Sequence, residues 1–138
     1  MKVWRFMDYY TEVGDNWIRQ WFDTQGENIR AEMDMALQRL AGFRNWNEQG
    51  EFEILRKQHK GLCEIKFGTH GIGKKRQFRI AGFFHFNDPI FILATACEKR
   101  GQSSTYAAFD LAMTCKKQFE AGRGDIHESF FFSHLETT

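Results

Sequence analysis

Lys66, Arg79, Lys99, Arg100 and Tyr106 are residue types that, gathered in one place, can act on a phosphodiester, and a basic run Lys74-Lys75-Arg76 lies among them. Cleaving RNA through its own 2′-hydroxyl needs a base for that proton, positive charge against the crowded phosphorane, and a proton for the leaving 5′-oxygen. Arg79 or Arg100 can grip the scissile phosphate through two parallel N–H bonds, Lys66 can add a point charge, and Tyr106 can stack on a base or donate a proton. Glu64, His70 and His85 are the candidates for proton transfer. Lys74, Lys75, Arg76, Lys99 and His85 are candidates for holding the rest of a polyanionic strand. The competing reading makes Lys66 and Arg79 exposed sheet charges and Tyr106 a core residue.

Other chemistries fit less well. Gly68-Thr69-His70-Gly71-Ile72-Gly73-Lys74-Lys75 nearly matches a phosphate-binding loop, but Lys75 stands where a hydroxyl must reach magnesium. The residues after it form a period-two run, where that motif needs a helix to aim its amides at phosphate. His59, His70, His85, His127 and His134 show neither helical ligand spacing nor a nearby cysteine pair, so no metal or other cofactor is expected. No nucleophile elbow marks a catalytic triad.

Charge supports a polyanion partner once it is read by segment. Residues 1–50 carry six basic and eight acidic side chains, 51–100 carry ten and five, and 101–138 carry three and five. The net charge of +1 therefore conceals a middle third at +5. Cys63, Cys97 and Cys115 are odd in number and lack C-x-x-C spacing, which points to a reducing cytoplasm and to cysteines acting as small hydrophobes. No apolar run has signal-peptide or membrane-spanning length, so no membrane partner is expected. With a single proline, no linker-like stretch and no repeat, residues 1–138 read as one domain.

The elements that must position these residues are read from periodicity. Val3 to Tyr9 reads as a strand. Asp15 or Asn16 can cap a helix carrying Ile18, Trp21 and Phe22, and Glu27 to Leu40 forms a second helix ending at Gly42 in a left-handed C′ conformation. From Gly50 the period becomes two. Cys63, Ile65 and Phe67 alternate with Leu62, Glu64 and Lys66; Phe78, Ile80, Gly82, Phe84 and Phe86 alternate with Gln77, Arg79, Ala81, Phe83 and His85. The second set of each pair is assigned to an open face. Asn87-Asp88-Pro89 makes a turn into the apolar run Ile90 to Ala96, a central strand covered on both sides. Ser104 or Thr105 can cap a last helix, opening near Tyr106, with Phe109 and Met113 on one face and a stop at Gly122. The expected order is β-α-α-β-β-β-β-α.

That order, with Gly61-Leu62-Cys63-Glu64-Ile65-Lys66, Arg79 in a strand, Ile90 to Leu93, then Lys99-Arg100 and Tyr106-Ala107-Ala108 starting a helix, resembles the RelE/ParE toxin superfamily, and most of all its phage-derived HigB-like branch. The resemblance covers residues 1–120 in element order. It implies an α+β fold with an N-terminal helical hairpin packed on a small, mainly antiparallel sheet and a C-terminal helix. It also implies a type II toxin, an endoribonuclease that cleaves mRNA on the ribosome without a metal and is neutralised by a helix-turn-helix antitoxin. Within it, Lys66 matches a basic position of the second sheet strand, Arg79 the arginine of the following strand, Arg100 the basic residue ending the next, and Tyr106 an aromatic near the last helix. Arg76 matches the strand arginine equally well, because the turn before it is longer than usual.

Two departures stand out. Ser104-Thr105 replaces the Thr-Pro that commonly opens the last helix of that branch, and residues 121–138 form a C-terminal extension the pattern does not require. ParE-like members inhibit gyrase and cleave no RNA, so a gyrase inhibitor or a phage protein aimed at a host factor is the alternative. In the extension, Phe130-Phe131-Phe132 cannot all face one core from a single strand; they pack over the helical pair or form a homodimer or antitoxin surface. Deleting residues 127–138 is expected to leave the fold intact and, where they form such a surface, to abolish partner binding.

Overall fold

A computed structural model describes residues 3–69, 75–85 and 88–129. His70, Lys74, Phe86, Asn87 and Phe130-Phe131-Phe132, all invoked above, lie outside the described residues. The elements run β1 (Arg5–Tyr10), α1 (Trp17–Asp23), α2 (Glu27–Ala41), β2 (Phe52–Ile54), β3 (Cys63–Gly68), β4 (Gln77–Phe84), β5 (Ile90–Glu98), α3 (Gln102–Glu120) and β6 (Asp125–Glu128). The fold is α+β, with one mixed sheet of six strands in the order β2-β3-β4-β5-β1-β6 among the described residues. Of its neighbouring strands, β1 and β5 pair in parallel and the rest are antiparallel.

Two apolar layers sandwich this sheet. On one face, Ile18 of α1 and Ile29, Met33, Leu37 and Leu40 of α2 pack on Ile65, Phe78, Ile80, Phe91 and Leu93. Trp46 seals the end of that layer. Its ring lies 5.1 to 5.6 Å from those of Trp4, Phe6, Phe52, Phe84 and Phe91, and its Nε1 donates to the Leu40 carbonyl at 2.7 Å.

The other face is covered, not open. Phe109, Ala112 and Cys115 of α3 pack on Leu62, Ala81, Phe83, Ile92 and Ala94, so the strand side chains assigned to solvent form a second core. The apolar Leu62, Ala81 and Phe83 on that face drive the covering, since fully burying a side chain as large as leucine or phenylalanine gains about 1.5–3 kcal/mol. Polar residues of the same face remain at its margin, and this is where the candidate site lies.

Helix ends show where local chemistry decides. Asn16 caps α1, its Oδ1 accepting from Arg19 N at 3.0 Å. Gly42 ends α2 in right-handed backbone at φ −85°, so no left-handed cap forms there. Gly122, at φ 78°, takes the left-handed conformation after α3. That helix opens earlier than expected, at Gln102 after Gly101; the hydroxyls of Ser104 and Thr105 donate back to the Gly101 carbonyl instead of capping. The extension contributes β6, antiparallel to β1, an element the period did not predict because four residues carry too little alternation.

No helix among the described residues is long and apolar enough to cross a membrane. Cys63 and Cys115 are buried, their thiols pushed up to about 12 and about 11 by burial, as suits small hydrophobes.

Candidate functional site

Strand register brings the site together. Across the β3–β4 ladder Gly68 sits opposite Gln77 and Lys66 opposite Arg79, and across β4–β5 Arg79 sits opposite Cys97 and Phe78 opposite Glu98. The C-terminal ends of β3 and β5, the N-terminal end of β4 and the first turns of α3 therefore meet at one end of the sheet. There a cleft of about 320 Å³ has Glu53, Glu64, Lys66 and Arg79 as its floor, Thr105, Tyr106 and Phe109 as its wall, and Lys99 and Gln102 at its mouth.

The floor alternates in charge. Lys66 Nζ lies 3.2 Å from Glu53 Oε2, and Arg79 Nε lies 3.5 Å from Glu64 Oε2. Arg79 is 8% exposed; it also donates from Nη1 to the Phe78 carbonyl at 2.9 Å and from Nη2 to Gln77 Oε1 at 3.4 Å. Glu64, 7% exposed, is pushed up to about 6, first by burial and next by its hydrogen bond with Glu53, against the opposing pull of Arg79 and Lys66. Glu53 moves the other way, held below the usual carboxylate range by the hydrogen bond with Glu64 and by Lys66. A carboxyl group that changes charge near neutrality, flanked by fixed cations, has the properties of an acid–base catalyst.

Of the residues singled out from sequence, Lys66, Arg79, Lys99 and Tyr106 line this cleft, with Glu64 beside them. Arg100 does not. Its Nη2 donates to Glu98 Oε1 at 3.0 Å, and the same carboxylate takes Arg76 through Nε at 2.9 Å and Nη2 at 2.7 Å. These two guanidinium groups hold the Glu98 carboxyl down to about 2, Arg76 having the larger effect. Together with Lys75 and Lys99 they line an adjoining hollow of about 690 Å³. A third groove, about 560 Å³, shares Lys66 and Arg79 with the cleft and Lys75 and Arg76 with the hollow, and is walled by Arg39 and Glu51. The three share lining residues and so neighbour one another around this basic end of the sheet.

His85 belongs elsewhere. Alternation put it on the face of Arg79, but six residues of strand separate them by about 20 Å. His85 Nδ1 pairs with Asp88 Oδ2 at 3.1 Å, and its ring lies 5.8 Å from that of Phe119, at the far end of the sheet.

Glu53 lines the cleft, and His59 stands behind its wall, without the sequence having singled out either for this role. His59 is buried behind Tyr106: its Nε2 is 2.8 Å from Asp110 Oδ1, and its ring stands edge-on to those of Tyr106 at 4.9 Å and Phe109 at 5.3 Å. Among the described residues no group of His, Cys, Asp and Glu side chains is arranged to hold a metal ion. No family model, curated protein or solved structure matches the chain.

Proposed function

We propose that this chain is an mRNA-cleaving toxin of the RelE/ParE type, in its HigB-like branch, acting in the cytoplasm on ribosome-associated mRNA and neutralised by a small antitoxin. The observation that carries the reading is the convergence of Lys66, Arg79, Lys99 and Tyr106, drawn from two strands, a strand end and a helix, on one cleft that also holds Glu64. The α+β class, with α1 and α2 preceding most of the sheet and packing on one of its faces, supports the reading.

In this mechanism the scissile phosphate sits over Lys66 and Lys99, with Arg79 beneath. Ionised Glu64 takes the 2′-OH proton, the 2′-oxygen forms its bond to phosphorus, and the bond from phosphorus to the 5′-oxygen breaks. Tyr106 supplies the proton that the leaving oxygen needs, and the products are a 2′,3′-cyclic phosphate and a 5′-hydroxyl. Charge stabilisation of the phosphorane by fixed cations is the largest contribution such a site makes. Arg76, Lys75 and Arg100 hold flanking phosphates in the adjoining depression.

One observation favours a non-catalytic, gyrase-inhibiting alternative: Arg100 is turned to Glu98, and Arg79 is committed to Glu64. Mapping mRNA 5′ ends within minutes of induction separates the two. The wild-type chain should create new ends, and Lys66→Ala with Tyr106→Phe should lose them while keeping its far-ultraviolet spectrum. Growth arrest without new ends would move the assignment to the gyrase inhibitor, and neither effect would remove both.

A further inference from the structure

The β2–β3 register sets Glu53 directly opposite Glu64. Like charges in that arrangement repel, and a cross-strand carboxylate pair is normally unfavourable. Here the two carboxyl groups line the same cleft and push one another's proton affinity in opposite directions, the behaviour of a pair that shares one proton. Their surroundings differ sharply. The Glu64 side chain is 9% exposed and the Glu53 side chain 56% exposed, so one faces the cleft interior and the other water.

We propose that Glu53 is a positioning residue for Glu64: the two carboxyl groups form a one-proton pair in which Glu53 orients the buried acid and passes its proton to solvent. The inference rests on the reading of Glu64 as the base for RNA cleavage. When Glu64 takes the 2′-OH proton it becomes a neutral acid, and its O–H points to the Glu53 carboxylate. Return of the base to its ionised form needs that proton to leave, and Glu53 is the wet end of the pair.

Among the described residues, the charged and titratable groups around Glu64 come from every element of the cleft. Glu53 comes from β2, Lys66 from β3, Arg79 from β4, Cys97 from β5, Lys99 from the turn after β5, and Tyr106 from α3. Glu53 raises the acidity midpoint of Glu64, whereas Arg79 and Lys66 lower it. Removing Glu53 also releases Lys66 from its 3.2 Å contact and leaves it available to Glu64. Both consequences act in one direction, towards earlier ionisation of Glu64.

The test uses the full chain with Glu53→Gln, and Glu53→Ala as a second variant, each compared with wild type. Carboxyl carbon NMR follows the Glu64 titration directly, with no RNA present. The pH dependence of oligoribonucleotide cleavage is measured alongside. Both variants should move the Glu64 midpoint to lower pH by about 0.5 or more and carry the acid limb of cleavage with it. A merely structural role in holding β2 would lower the rate evenly at all pH values and leave the midpoint in place, and an unmoved titration overturns the pair. A shifted titration in a chain whose wild type cleaves no RNA would instead overturn the base role of Glu64 and the endoribonuclease reading together.

Discussion

Glu64 and Arg79 meet at 3.5 Å between adjacent strands with side chains only 9% and 10% exposed, a tightly shielded ion pair in the cleft floor. A buried pair stabilises little in net terms, but removing one partner leaves the other charge desolvated and alone. Arg79→Ala should therefore cost about 3 kcal/mol in urea unfolding near pH 8.

The loss should depend on pH, and its sign is set by Glu64. A carboxyl whose folded midpoint is raised favours the folded state while protonated and loses that contribution as pH rises through about 6. Without Arg79 the midpoint rises further, so the penalty shrinks when unfolding is repeated near pH 5, where Glu64 is neutral. A cost independent of pH would show that Arg79 acts through packing alone. The same coupling makes Arg79 a poor single probe of catalysis, which is why Lys66 and Tyr106 carry the functional test.

Glu98 makes the opposite prediction. Held down to about 2 by Arg76 and then Arg100, it contributes stability that is present above its ordinary 4.5 and is lost as pH falls through the interval between. Glu98→Gln should flatten the acid limb of thermal stability in melts taken from about pH 6 down to about pH 2. The variant also releases two guanidinium groups at the mouth of the depression, so its affinity for a single-stranded oligonucleotide should rise and become more salt-dependent. An unchanged acid limb would mean that the two ion pairs do not persist in solution.

How far the sequence reaches is clearest at the strands. Alternation places Lys66 and Arg79 on one face, and the apolar run from Ile90 identifies the central strand. Alternation reports a face and not a position along it, so it groups His85 with Arg79 although the strand carries the histidine away. The covering by α3 is legible in Leu62, Ala81 and Phe83, three apolar side chains that an open face would not carry. Glu53 is not legible: β2 has three residues, and its register on β3 is set by residues 55–62 folding back, with Leu55 N donating to the Leu62 carbonyl at 3.0 Å. The pairing of His59 with Asp110 spans 51 positions and leaves no local pattern.

Gly82 tests the sheet that carries the site. It stands where the β4–β5 register shifts, and a Cβ there would overlap the Ile92 carbonyl oxygen and the Phe91 ring. Neither neighbour is a flexible chain end, so the backbone must move. Gly82→Ala should destabilise by about 3 kcal/mol in denaturant titration. A change below about 0.5 kcal/mol, the size of an inconsequential surface substitution, would show that the bulge relaxes.

The C-terminal extension supplies the last prediction. β6 pairs with β1 from Met7 opposite Glu128 to Tyr10 opposite Asp125, and Tyr9 donates its hydroxyl to the Arg123 carbonyl at 3.0 Å to anchor the turn before it. The expectation that the fold tolerates deletion of residues 127–138 meets the fact that such a cut runs through β6. A chain ending at Gly124 loses the strand altogether and uncovers the edge of β1, whose N–H and C=O groups then offer a template to a second copy. The buried core residues on both faces of the sheet come from other elements and β6 adds only the half-buried Ile126, so the truncated chain should still fold. It should, however, associate with rising concentration in sedimentation velocity, where the full chain does so less. A truncated chain that stays monomeric with an unchanged melting temperature would show that β1 tolerates an open edge and that β6 serves something other than edge protection.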